Sequence, residues 1–295
     1  IMKEAEFIAI QKFKKKISIW RIITIVVLFF YLLSLCNKVV RGNIVGKDII
    51  ARVNIRDYIG NDSFSRQKLE KLKDDKIKAI ILDIDSPGGD VVASEMLYTF
   101  FRKLSIDKPI ISQINGLGTS GAYLLAMASD YIIAYNTSAV GSIGVIAQNY
   151  EITELAKKFG ISLTTFKSSI LKSAPNPFEK ITPDVDMVVN QEINDIYDYF
   201  LTIFIQRRKI KTLEAQEIAN GQVYTGRQAL EYGLIDKIGG DDEAIEYFKD
   251  INIDMDKVKI VDFDIYKDSN KFNSILSIFR SSISKNMIQA TYNRY

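Results

Sequence analysis

The chain of 295 residues contains no histidine. That absence excludes Ser-His-Asp and Cys-His catalysis, histidine-ligated zinc and a histidine general base together. Any hydrolase built on this chain must take its base from another side chain. Cysteine is nearly absent too, and Cys36 alone rules out an intrachain disulfide or a cysteine-cluster metal site. No metal and no cofactor are expected. A basic excess is missing from the body of the chain. The formal net charge is +3, but six of the 39 basic residues (Lys3, Lys12, Lys14, Lys15, Lys16, Arg21) and two of the 36 acidic ones (Glu4, Glu6) fall within residues 1–21. The rest then holds 33 basic and 34 acidic side chains. A nucleic-acid-binding protein carries its basic charge on the folded body, so no nucleic-acid partner is expected. Ordinary hydrophobic (47%) and charged (25%) fractions set disorder aside in favour of a globular chain able to bury a core.

What the leader has is a run of fifteen uncharged residues, Ile22–Cys36 (IITIVVLFFYLLSLC). With Ile17–Trp20 and Val39–Val40 it reaches bilayer length, and Arg21 and Lys38 can snorkel. No small-x-small cleavage site follows it, so an uncleaved single-pass anchor is expected rather than a removed signal. The basic flank Lys12–Lys16 should stay cytoplasmic, which puts the residues after Arg41 outside the cytoplasm of a cell membrane.

Beyond the anchor, Asp48–Ile55 and Ile77–Ile84 have strand spacing, and Val91–Lys103 has helical spacing. Pro109–Ile114 is a buried-strand run ending in Asn115-Gly116. Gly121–Ala128 reads as helix and Tyr131–Ala134 as strand. Thr182-Pro183 starts a long helix to Ile210, and Thr225 caps a short one that Gly233 stops. Strand, turn and helix alternate, which predicts an α/β fold with parallel strands. The expected organisation is a basic segment and anchor over 1–42, a core over 43–250 and an extension over 251–295.

Two glycine-rich turns are each expected to follow a strand and open a helix: Ser86-Pro87-Gly88-Gly89 and Gly116–Ala122. Such backbone can present N–H groups to an anion, or can simply turn tightly; neither segment fits a phosphate-binding loop. Ser120 at the helix entrance reads first as an unremarkable N-cap, with a nucleophile as the second reading. With histidine absent, the base open to a serine is a lysine in a neutral state, which requires desolvation. Lys172, in Ser168–Pro175, has no carboxylate beside it in sequence; Lys167 is its rival. Asp83 and Asp85 share one strand face, where capping of the next turn is expected rather than a metal.

Taken together these segments resemble the signal peptide peptidase A (protease IV) family of bacterial Ser–Lys peptidases. The resemblance rests on LDIDSPGGDV (82–91), GTSGAYLLAMASDYIIA (118–134), VGSIGVI (140–146), KFGISLTTFKSSILKSAPNPF (158–178) and NGQVYTGRQALEYGLIDKIGG (220–240). It implies a crotonase/Clp-protease-like core of repeated β-β-α units behind a transmembrane helix. It implies Ser120 as nucleophile, Lys172 as general base, Gly89 and Gly121 N–H as oxyanion hole, and Ser142 positioning the lysine. The implied function is a membrane-anchored serine endopeptidase acting on released signal peptides or other membrane-associated peptides, with small or hydrophobic side chains beside the scissile bond. Its implied assembly is a homo-oligomer with active sites shared between subunits. Ala122, where relatives often carry glycine, and the two aspartates depart from the pattern. An inactive membrane scaffold and a crotonase-type acyl-CoA enzyme are the alternatives.

Overall fold

The computed structural model describes Thr24, residues 26–31 and residues 48–267. It falls into two units, Ile1–Asp48 and Ile49–Tyr295. In the first, Thr24 and residues 26–31 are helical with exposed side chains. The basic segment and most of the anchor expected over Ile22–Cys36 lie outside the described residues. No described helix is long and apolar enough to cross a membrane.

The second unit is built on one eight-stranded sheet: β1 (Asp48–Arg56), β2 (Ile77–Ser86), β3 (Ile110–Thr119), β4 (Tyr131–Ala134), β5 (Ala139–Gly141), β6 (Val223–Thr225), β7 (Lys237–Ile238) and β8 (Val258–Phe263). The order is β6-β5-β3-β2-β1-β8, with β4 bridging β3 and β7. Pairings β1–β2, β2–β3, β3–β4, β3–β5 and β4–β7 are parallel, and β5–β6 is antiparallel. This is the α/β architecture that the alternating pattern predicts. Its central strands read as near-continuous apolar runs because both faces are covered. Ile50, Ala79, Ile81, Ile111 and Ile133 meet Ala244 and Phe248 of helix α8 (Asp241–Asp250). On the other face Val53, Leu82 and Ile84 join Leu97 and Phe101 of α2 (Val91–Leu104) and Tyr123 of α3 (Gly121–Ala126).

The remaining helices are α1 (Arg66–Glu70), α4 (Thr153–Lys158), α5 (Pro183–Arg208), α6 (Thr212–Ile218) and α7 (Gly226–Glu231). Helix α5 starts as Thr182-Pro183 predicts, with the Thr182 hydroxyl accepting from the Val185 N–H at 3.4 Å. Its far end pins α3. Arg207 donates to the carbonyls of Met127 and Ser129, both at 2.8 Å, and Phe204 lies edge-on to the Tyr123 ring. The Tyr123 hydroxyl donates to the Leu234 carbonyl at 2.7 Å. Thr225 caps α7 in a reciprocal box with Gln228, and Gly233 follows at φ 74°.

Two expectations need correction. The second glycine-rich segment is not a turn, since β3 runs on through Asn115-Gly116 to Thr119. It does so by slipping register against β2, from Ile84↔Ile114 to Ser86↔Gly118, while exchanging neighbour β4 for β5. Asp85 holds the slip by accepting the Leu117 N–H at 2.9 Å, and a Cβ on Gly116 would stand 2.5 Å from that carboxylate. The aspartates also do not cap the Gly88-Gly89 turn. Asp83 is buried and binds the Arg56 guanidinium at 2.7 Å and the Asn115 amide at 2.6 Å, because the parallel neighbours on either side offer those donors. Beyond residue 250, β8 lies beside β1 and Ile265 is fully buried. Residues 268–295 lie outside the described part.

Candidate active site

Ser120 stands where β3 gives way to α3, with φ 53° and ψ −126°. A side chain rarely adopts that backbone, and such strain persists only where the surroundings over-determine it. Here the Ser120 N–H donates to the Gly141 carbonyl at 2.8 Å, and its own carbonyl accepts from the Leu124 N–H at 3.0 Å. Ser120 occupies the N-cap position, yet its hydroxyl makes no capping bond. The N-cap explanation of this serine therefore fails. The hydroxyl is held half-buried, without a hydrogen-bond partner among the described residues.

The Ser86–Gly89 turn is packed directly against this elbow. Gly88 (φ 93°) comes so close that a Cβ there would lie 2.7 Å from the Gly121 nitrogen and 3.0 Å from Ser120 Cβ. Gly89 is hemmed from behind, where a Cβ would meet the Ile59 carbonyl oxygen at 2.2 Å. Ile59 is the residue that fixes the turn: its N–H donates to Gly88 at 2.9 Å and its carbonyl accepts from Asp90 at 2.8 Å. Ser86 Oγ adds a bond to the Asp57 carbonyl at 2.6 Å and accepts the Gly88 N–H at 3.1 Å. Between these anchors the N–H groups of Gly89 and Gly121 donate to no acceptor among the described residues. The Gly89 nitrogen lies 3.5 Å from where a Cβ on Gly121 would be, so two unspent donors converge beside Ser120. That is the equipment for binding a developing oxyanion. Sequence inspection missed Ile59, and also Ser94, whose Oγ would stand 2.1 Å from a Cβ on Gly121. Neither belongs to a motif; their contribution is contact across the fold.

Ser142 is brought to the site by strand register. Thr119 pairs with Gly141, so Ser120 and Ser142 each follow one member of the last pair. Ser142 also has a positive φ (50°), and its N–H is held by the Gln222 carbonyl at 2.8 Å. Lys172 is not brought there. It sits exposed in the segment between β5 and α5, and its side chain makes no ion pair or hydrogen bond among the described residues. The rival Lys167 is engaged: it forms a half-buried ion pair with Glu179, which holds the Glu179 carboxyl below the usual carboxylate range, chiefly through that hydrogen bond.

A small cavity of about 40 Å³ opens beside Ser120, lined by Gly89, Gly121, Val91, Leu124, Val145 and Phe200 among others. No residue between 146 and 195 lines it. No group of His, Cys, Asp and Glu side chains among the described residues could hold a metal ion.

The sequence profile of peptidase family S49 matches residues 102–253, which contain Ser120, Ser142 and Lys172. A protein of Methanocaldococcus jannaschii named as a protease is 32% identical over 200 residues, covering 68% of this chain and 64% of that protein. One of Enterococcus faecium named as a signal peptide peptidase is 30% identical, covering 72% and 63%. One of Synechocystis named as a protease is 30% identical, covering 72% and 77%. The aligned part thus spans slightly less than two thirds of the first two relatives' own length. With a matched profile across half the chain, including the Ser120 elbow, the protein belongs to peptidase family S49, the family of signal peptide peptidase A and protease IV.

Proposed function

We propose that the protein is a serine endopeptidase with a Ser120–Lys172 dyad, anchored in a cell membrane with its catalytic unit outside the cytoplasm, where it hydrolyses signal peptides and other membrane-associated peptides. The observation that carries the proposal is the strained, uncapped Ser120 beside the two unspent N–H groups of Gly89 and Gly121. Neutral Lys172 takes the Ser120 hydroxyl proton as Oγ attacks the scissile carbonyl. The oxyanion binds to the Gly89 and Gly121 N–H groups, a contribution of about 3–4 kcal/mol per donor in comparable sites. Collapse breaks the C–N bond, the lysine returns its proton to the leaving amine, and water then releases the acyl group from Ser120 by the same route. Ser142 steadies the amine through a hydrogen bond.

The base comes from a neighbouring copy in this proposal. The cavity beside Ser120 receives no residue from 146–195 of its own chain, and the segment carrying Lys172 exposes Ile146, Tyr150, Phe159 and Phe166, the last at 95%. A ring of identical subunits buries such a face and completes each site, because a head-to-tail contact that closes does not polymerise. Co-assembly of Ser120→Ala with Lys172→Ala in equal amounts tests this. Shared sites regain roughly a quarter of the wild-type activity, since one interface in four joins an intact serine to an intact lysine. No recovery from verified mixed oligomers refutes a shared site.

A further inference from the structure

The cavity beside Ser120 has a chemical asymmetry. Val91, Leu124, Val145, Ile196 and Phe200 give it apolar walls, but Glu95 of α2 and Tyr199 of α5 also line it. Glu95 is its only charged lining residue among the described ones, is half-buried, and has no cationic partner among them. Tyr199 stands near Glu95; burial first, and the nearby charge of Glu95 second, push this phenol's pKa up. The carboxylate stands at the Tyr199 side of an apolar pocket and lacks a counter-charge among the described residues. A cation arriving with a ligand gives that carboxylate a charge-assisted partner.

We infer that Glu95 makes this pocket select a lysine or arginine side chain on the residue whose carbonyl Ser120 attacks. The inference rests on Ser120 as nucleophile, since only then do the same walls that border the oxyanion donors border that residue. The aliphatic stem lies on Val91, Leu124 and Ile196, and the cationic head reaches Glu95 over the open mouth. The apolar walls agree with the expected preference for hydrophobic side chains; the carboxylate adds a term that composition and spacing did not show. Peptides with a basic residue next to an apolar run fit both features, and the junction between the positive and apolar regions of a signal peptide has that chemistry.

Three fluorogenic peptides identical except for Lys, Met or Glu at the attacked residue decide it. Wild type cleaves the Lys peptide with the highest kcat/KM and the Glu peptide with the lowest. Glu95→Gln lowers the Lys:Met ratio by about tenfold or more, the scale of one lost charge-assisted contact. Glu95→Lys reverses the order in favour of the Glu peptide; matching melting temperatures show that the variants fold. Equal cleavage of Lys and Met peptides by wild type overturns the inference. So does an equal loss on all three with Glu95→Gln, which would place Glu95 on the lysine base instead. Labelling of Ser120 by a fluorophosphonate separates the two levels. If Ser120 labels but the Lys:Met ratio ignores Glu95, only this inference falls; if Ser120 does not label, the nucleophile falls with it.

Discussion

Gly89→Ala is the substitution that most severely tests the geometry of the turn packed against Ser120. A Cβ at that position would lie 2.2 Å from the Ile59 carbonyl oxygen, 2.6 Å from its nitrogen and 2.8 Å from its carbonyl carbon. These are backbone atoms of a fully buried residue, so no side-chain rotation relieves the overlap. The turn must move away from Ile59, at the expense of the 2.9 Å and 2.8 Å bonds that Ile59 makes with Gly88 and Asp90. Overpacking costs about 1–3 kcal/mol, and two weakened backbone bonds add about 1 kcal/mol, giving a loss of about 2–4 kcal/mol. For a unit of this size that lowers Tm by about 5–15 °C. The same displacement takes the Gly89 N–H off the oxyanion, which lowers kcat by about 100-fold or more. Thermal melting and peptide hydrolysis on the same preparation read both effects. A variant that keeps Tm within 2 °C (roughly one kcal/mol or less) and kcat within about twofold refutes the close approach of Ile59 and the role of this donor together.

Lys172→Ala abolishes hydrolysis without unfolding the protein, whereas Lys167→Ala retains activity and, losing only its partly exposed ion pair with Glu179, melts close to wild type; steady-state kinetics and melting curves compare them. Tyr123→Phe strands the buried Leu234 carbonyl and lowers stability by about 1–3 kcal/mol, measured by denaturant unfolding at unchanged slope. Peptide hydrolysis rises with pH toward the alkaline range, because a lysine accepts a proton only in its neutral form, and with no histidine in the chain the profile lacks a histidine step. A bell centred in mildly acid solution would point to carboxylate catalysis.

The parts of this fold that were readable from the chain are those governed by local chemistry. The apolar runs of β1 and β2, the Thr182-Pro183 start of α5 and the Thr225 box all declare themselves in a few consecutive residues. The passage of β3 through Asn115-Gly116 did not, because it depends on Asp85 from the neighbouring strand and on the exchange of β4 for β5. Ser120 stood out as a serine between glycine-rich segments, but its strained backbone and missing cap bond are properties of the assembled elbow. Ile59 and Ser94 hem Gly89 and Gly121 by contact alone, so no spacing rule points to them. The Glu95–Tyr199 pair joins helices more than a hundred positions apart in the chain, and only packing reveals that it lines the Ser120 cavity.

Reaction with a serine-directed fluorophosphonate, followed by mass mapping of the adduct, tests the dyad most directly. The expected result is one adduct, on Ser120, formed by wild type and by Lys167→Ala and lost in Lys172→Ala and Ser120→Ala. An adduct on another residue, or undiminished labelling of Ser120 without Lys172, contradicts it.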